Sequence, residues 1–236
     1  PVLFEQPFER KLGEEEKTEE GKVVIHGKID RIDIAEENDV TYVKIVDYKS
    51  GSKDFNEELF HAGVQLQTAV YLNEAIRQFK KLNPDEKKQF KPGAMFYYHM
   101  YDPILSSTEE DAEKLKDLRE QELRPQGLFV DDGTNLDLLE NKDSRPKSAK
   151  SKKVPVSYTA SQEVNGNTKK SVKSEEEMQK ILSEADGTVA KLSGEILDGE
   201  IGISPLSAGS KYDACKFCIY KGACGFDARA YGYKKR

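Results

Sequence analysis

The first clear pattern along the chain is an alternation of apolar and polar positions. Residues 22–34 (KVVIHGKIDRIDI) and 40–49 (VTYVKIVDYK) are rich in β-branched residues and partly alternate, the period of strands with one buried face. Glu36-Glu37-Asn38-Asp39 between them is polar and turn-prone, so the two runs predict a β-hairpin. After Ser50-Gly51-Ser52 the period changes. Phe60, Val64, Ala69, Leu72, Ile76 and Phe79 recur at spacings of three to five, which predicts one helix over 57–81, stopped by Asn83-Pro84. Residues 93–101 (GAMFYYHMY) predict another strand, and 108–123 a helix. Residues 141–153 carry six Lys or Arg in a polar run and predict an exposed loop. A short strand over 154–160 follows. Ser174 with Glu177 makes a capping-box pattern that opens a helix to about Leu192. Alternation of Glu195–Ile203 around Asp198-Gly199 predicts a hairpin. No internal repeat is visible. Strand, strand, helix, strand, helix is an α/β order, and it implies a mixed sheet: an antiparallel hairpin, then a helical crossover into a further strand.

Composition changes this picture little. The chain has 236 residues, 36% hydrophobic and 34% charged, with a net charge of −6. That suits one fairly large domain with an appendage, which we expect to divide as 1–210 and a cysteine segment 211–236. No stretch approaches the roughly 20 apolar residues of a membrane helix, and no signal peptide opens the chain. It starts at Pro1 and reads as a piece of a longer protein. Overall acidity argues weakly against nucleic acid. Contact with nucleic acid nevertheless needs only a local basic stripe, so the global number decides little. The run 141–153 and the tail Tyr233-Lys234-Lys235-Arg236 are the cationic candidates.

The candidate chemistry lies on the hairpin. Asp47 and Lys49 are two apart, so they share a strand face. If Asn38-Asp39 form a two-residue turn, partner numbers sum to 77 and Asp30 lies opposite Asp47, with Cβ atoms roughly 4.5–5.5 Å apart. Two carboxylates that close repel unless a cation sits between them, and a hard ion such as Mg²⁺ is typically held by one or two carboxylates plus waters and phosphate. Lys49 could hold the phosphate or help to deprotonate the attacking water. Gln67 and Tyr71 are four apart and lie on one helix face. They are candidates to orient the lysine, the water or the phosphate. Arg31 falls on the opposite strand face and is left out of the site. Cys215, Cys218 and Cys224 lie within ten residues. The odd, clustered set is unlike a secreted disulfide framework and points to a reducing cytoplasm. The spacing suits zinc or an iron–sulfur cluster as well as it suits free thiols.

These residues carry a resemblance. Gly27-Lys28-Ile29-Asp30-Arg31-Ile32-Asp33, Ile45-Val46-Asp47-Tyr48-Lys49-Ser50-Gly51 and Gln65-Leu66-Gln67 through Tyr71 resemble the successive motifs of the RecB-type PD-(D/E)XK nucleases. Within that family the chain is most similar to the nuclease domains of the AddB type, from bacterial AddAB helicase–exonucleases. Pro92–Pro103, Leu123–Val130 and Cys215–Asp227 agree as well, and the first two favour this type over CRISPR-associated exonucleases. The resemblance implies a restriction-endonuclease-like core, with Asp30, Asp47 and the Tyr48 backbone carbonyl as metal ligands, Lys49 as the catalytic lysine, and Gln67 with Tyr71 as the helix motif. It implies Mg²⁺-dependent degradation of single-stranded DNA, of the 5′-ended strand, in double-strand break repair and recombination, beside an AddA-type helicase subunit. It also implies a [4Fe–4S] cluster on Cys215, Cys218 and Cys224 completed by a distant N-terminal cysteine, a residue this chain does not contain. Related enzymes carry an acidic residue or His on a helix before the hairpin; His26 lies in a strand and does not match it. No GxxxxGK[ST] phosphate loop occurs in the chain. The competing expectation is a catalytically inactive DNA-binding or scaffold module; the presence of Asp30, Asp47 and Lys49 together argues against it.

Overall fold

The computed structural model describes residues 2–12, 23–51, 54–84, 87–105, 111–208, 212–216 and 218–227. The two alternating runs form β2 (Val23–Glu37) and β3 (Val40–Lys49), joined at Asn38-Asp39. Their register runs from Glu37↔Val40 to Arg31↔Val46, so partner numbers sum to 77 as the turn predicts. Asn38 takes the left-handed conformation (φ 54°) that tight hairpins require. A strand ahead of them, β1 (Leu3–Leu12), pairs antiparallel with β2. On the other side β4 (Gln89–His99) lies parallel to β3, β5 (Gln126–Val130) antiparallel to β4, and the two-residue β6 (Val172–Lys173) parallel to β5. The result is one six-stranded mixed sheet in chain order.

The parallel β3–β4 step requires a crossover, and helices supply it. The expected single helix over 57–81 is two: α1 (Glu57–His61) and α2 (Gln67–Leu82). The break is built at Gly63. Its φ is +80°, its N–H donates to the Phe60 carbonyl, and the next N–H, of Val64, donates to the Leu59 carbonyl. This is a Schellman C-cap, which only a residue tolerant of positive φ completes. The helix α5 (Glu175–Leu197) starts as predicted: Ser174 and Glu177 exchange both bonds of the capping box. Its end differs from the prediction. Asp198-Gly199 is not a hairpin turn but the same C-cap, with Gly199 at φ +71° and the Glu200 N–H returning to the Glu195 carbonyl. The hairpin of this region is the small pair β7 (Ser207–Ala208) and β8 (Tyr212–Asp213). The helix near 108–123 is α3 (Ala112–Glu122).

Two cores sandwich the sheet. On one face Val43, Ile45 and Met95 pack under Ala69, Leu72 and Ala75 of α2 and under Met178, Leu182 and Ala185 of α5. On the other, Ala94, Phe96 and Phe129 pack against Leu136 of α4 (Thr134–Leu139) and against Val154, Val156 and Tyr158. Residues 154–160 form isolated bridges at Ser157 and Tyr158 rather than a strand. The basic run 141–153 is not a free cationic loop either. Arg145 and Ser151 are buried: Arg145 meets Asp137 and the Glu140 carbonyl, and Ser151 donates to the Glu140 carboxylate at 2.6 Å. Lys152 is held by Asp117 and Glu120 at 2.6 and 2.7 Å. The acidic α3 and the short α4 thus neutralise charge that the sequence pattern assigns to solvent. The basic tail 233–236 lies outside the described residues.

Candidate functional site

The β2–β3 ladder ends at Arg31↔Val46. One step further, Asp30 and Asp47 are in register but are not ladder partners, which corrects the expected cross-strand pair. Two facing carboxylates would repel, and the backbone instead kinks at Asp30. The β1–β2 ladder also skips this position: Phe4 pairs with Arg31 and Gln6 with Ile29, while Glu5 between them adopts φ +50°. Ile29 and Ile32, three apart, are both fully buried in the same core, which a regular pleat forbids. The kink therefore turns Asp30 toward β3, where its Oδ2 accepts the Tyr48 N–H at 2.8 Å. An extended residue presents N–H and C=O to the same edge, so the Tyr48 carbonyl opens to the same gap as Asp30.

Asp47 lies on the helix-covered face and is 2% exposed. Its Oδ2 lies 2.6 Å from the Lys49 ammonium but accepts no directed hydrogen bond. Burial pushes the Asp47 carboxyl above the usual carboxylate range, Lys49 pulls it back down, and the nearby Asp30 charge pushes it up again. Lys49 Nζ also donates to Gln67 Oε1 at 2.8 Å, and Gln67 Nε2 donates to the Tyr71 hydroxyl at 3.0 Å. The break at Gly63 matters here: it makes Gln67 the first residue of α2, at the end of the sheet where β3 delivers Lys49. Asp30, Asp47, Tyr48, Lys49, Gln67 and Tyr71 thus meet at one place.

Three neighbours were not among the sequence candidates. Tyr97, paired with Asp47 across the parallel ladder, has its ring 5.7 Å from the Lys49 ammonium and its hydroxyl 3.5 Å from Thr68 Oγ1. Thr68 and Tyr97 floor the site, and their only sequence signal is adjacency to Gln67 and a place in an aromatic strand. Gly27 is the third. A Cβ there would lie 2.7 Å from the Phe8 ring and 3.3 Å from that of Tyr71, so the missing side chain makes room for Phe8, which in turn packs edge-on against Tyr71. Arg31 faces away, as its strand position implies, and binds Asp33 at 2.7 and 2.8 Å. His26 is exposed.

The cysteines behave otherwise. Cys215 sits in a turn after β8, Cys218 follows it, and Cys224 ends the one-turn helix α6 (Lys221–Cys224). All three are free. Among the described residues no three Cys, His, Asp or Glu side chains gather as a metal site, so the expected convergence of the three thiols is not seen. Three thiolates pointed at one centre repel unless a cation holds them, and the chain offers no fourth thiol.

Two carboxylates and a carbonyl brought to one place suit a hard divalent cation, and the Lys49 ammonium beside them suits the anion such an ion would bring. The fit rests on the Asp47 oxygen that lacks a directed donor and on a carboxyl that burial disfavours as an anion. A consequence for stability follows. A raised carboxyl pKa means that the folded protein holds the proton more tightly than the unfolded chain does, so this group weakens folding as pH rises from about 3.9 to its folded value, and the whole penalty persists above it. Asp47→Asn is therefore expected to melt at a higher temperature than the parent at pH 7 in EDTA. A lower melting temperature would show that the Lys49 ion pair outweighs burial.

The mixed sheet thus brings a kinked acidic strand, an Asp-x-Lys strand end and a Gln-bearing helix to one place. The model of the PD-(D/E)XK nuclease superfamily matches residues 1–225, and the chain belongs to that superfamily. It is similar to subunits B of ATP-dependent helicase/deoxyribonucleases: 31% identical over 206 residues to that of Alkaliphilus oremlandii, 33% over 210 residues to that of Alkaliphilus metalliredigens, and 31% over 220 residues to that of Lachnoclostridium phytofermentans. These alignments cover 87%, 87% and 90% of the chain but only 17%, 17% and 18% of the respective relatives. Among the described residues no helix is long and apolar enough to cross a membrane.

Proposed function

We propose that this chain is a Mg²⁺-dependent deoxyribonuclease domain that cuts single-stranded DNA as part of a helicase–nuclease of double-strand break repair. The observation that carries the reading is the placement of the Lys49 ammonium, 2.6 Å from Asp47 and 2.8 Å from Gln67, beside the gap that Asp30 faces. Asp30, Asp47 and the Tyr48 carbonyl would hold the ion, which when bound lowers the pKa of a water and stabilises the charge that develops on phosphorus. Asp47 and Asp30 contribute the negative charge that fixes it. Lys49, steadied by Gln67 and through it by Tyr71, offers its ammonium to the scissile phosphate. Tyr97 and Thr68 keep bulk water from beneath the lysine, which strengthens each of these interactions.

Degradation of the 5′-ended strand, 5′ to 3′, and an AddA-type helicase partner are proposals supported by the similarity to helicase/deoxyribonuclease subunits B. So is the division into a nuclease body, residues 1–210, and a cysteine segment, 211–236. The cluster reading rests on the resemblance of the Cys215–Asp227 segment to AddB-type domains, with a fourth donor from outside this chain. The test of the main reading is cleavage of a 5′-labelled or 3′-labelled single-stranded oligonucleotide over a Mg²⁺ titration. Products should appear with Mg²⁺ and be absent in EDTA. Binding without cleavage at any Mg²⁺ concentration would favour an inactive DNA-binding module instead.

A further inference from the structure

We propose that Tyr98, set edge-on against Tyr48, is a base-stacking residue that holds the unpaired DNA base next to the phosphate at Lys49; the proposal rests on the nuclease reading above. Register places the two rings. β4 sends Ala94 and Phe96 into the second core, and Tyr98 is the next residue on that face. It pairs with Tyr48 across β3–β4, between the pairs Asp47↔Tyr97 and Lys49↔His99. The ring centroids are 6.0 Å apart at 70°, and the Tyr48 hydroxyl accepts from Arg31 Nη1 at 3.3 Å. Tyr98 is nevertheless 39% exposed, and Met100, two residues further on, is 61% exposed. The two tyrosines thus form a fixed aromatic ledge, open to solvent, at the end of the sheet.

The ledge and the candidate site share a residue. The gap for the ion lies within the plane of the sheet, since Asp30 takes the Tyr48 N–H as a partner strand would. Side chains of both faces therefore border it: Asp47 and Lys49 on the helix-covered face, Tyr48 and Tyr98 on the other. Ser50 and Gly51, which follow, are exposed. A nucleotide carries its phosphate and its base on different sides of the sugar. A strand drawn over this end of the sheet can therefore leave a phosphate at Lys49 and rest the neighbouring base on Tyr98. Arg31 and Lys44, on the same face as the ledge, share the one carboxylate of Asp33, so that face keeps a positive charge in excess for the DNA backbone. Stacking suits a single strand in particular. Every base has a π-face, so the contact is indifferent to sequence, and in a duplex that face is already taken by the neighbouring base pair.

The test uses a set of 5′-labelled single-stranded oligonucleotides, each lacking one base at a different position. They are cut in Mg²⁺ by the parent and by Tyr98→Ala, Tyr98→Leu and Tyr98→Phe. Loss of one base–ring contact corresponds to about five- to a hundredfold in affinity. In the parent, cleavage at one fixed distance from the missing base should slow about tenfold. Tyr98→Phe should keep that dip. Tyr98→Ala and Tyr98→Leu should lose it, and on the intact strand both should raise KM about tenfold while kcat changes less. Leucine fills the place without offering a π-face. A merely structural role would therefore leave Tyr98→Leu close to Tyr98→Phe, and that result would overturn the proposal. So would a parent with no dip, or a dip that survives in Tyr98→Ala; either would assign the ledge to another contact, such as a protein partner. Failure of the parent to cut DNA in Mg²⁺ is a different result: it removes the nuclease reading, and this proposal with it, before any variant is compared.

Discussion

Lys49→Met is expected to reduce Mg²⁺-dependent DNA cleavage by two to four orders of magnitude, the range for removing a positioned proton-transfer or charge-stabilising group, and to leave the protein folded. Methionine keeps most of the apolar stem and deletes only the ammonium, which contacts Asp47 and Gln67 and lies over the Tyr97 ring. Asp47→Ala should be equally inactive. Gln67→Ala removes one of the two groups that hold the ammonium and leaves the other, so its loss should be smaller, about ten- to a hundredfold. Circular dichroism verifies folding, and initial rates on a labelled oligonucleotide report the chemistry. A folded Lys49→Met protein that retains activity within tenfold of the parent would remove lysine from the reaction and leave the arrangement at the strand end as a structural ion pair.

The largest effect on stability is expected at Gly127, in β5. Its φ is +135°, and a Cβ there would sit 2.2 Å from the Met95 carbonyl oxygen and 3.2 Å from the Phe96 Cα. Both neighbours are backbone of the adjacent strand, so nothing flexible can give way. Backbone strain of this kind costs about 1–3 kcal/mol by itself, and the clash adds to it against a total stability of roughly 5–15 kcal/mol. Gly127→Ala should lower the melting temperature by about 10 °C or more. Gly187 is the control: it lies inside α5 with open space around it, and Gly187→Ala should stabilise by about 0.5–1 kcal/mol. Similar melting temperatures for the two variants would contradict this account of β5.

Much of the site was legible in the sequence because its information is local. Period-two alternation and the turn at Asn38-Asp39 set the hairpin register, and the register put Asp30, Asp47 and Lys49 together. The capping box at Ser174 was legible for the same reason. What could not be read is decided elsewhere. The apolar spacing from Phe60 to Phe79 continues through Gly63, so periodicity gives no sign that the helix stops. Asp198-Gly199 suits a hairpin turn and a helix C-cap equally, and only the packing of α5 chooses. The kink at Asp30 depends on Glu5 and Tyr48, residues distant in the chain. The burial of Arg145 depends on Asp137 and Glu140, whose role appears only when α4 is folded against the sheet.

The two-residue turn at Asn38-Asp39 has a consequence for how this protein tolerates change in length. Glu36, Glu37, Asn38 and Asp39 are all exposed, with Asn38 left-handed and Glu36 in an ion pair with Lys88 at 2.7 Å. Asp47 lies eight positions beyond Asp39, about 27 Å at strand rise. A residue added at the turn itself only lengthens the loop, because the parallel ladder to β4 holds β3 from Val40 to Lys49. A single residue inserted inside β3, between Val40 and Val46, would instead carry Asp47 and Lys49 to the opposite face of the sheet, so the domain tolerates length at the turn and is disarmed by it one step further along the strand.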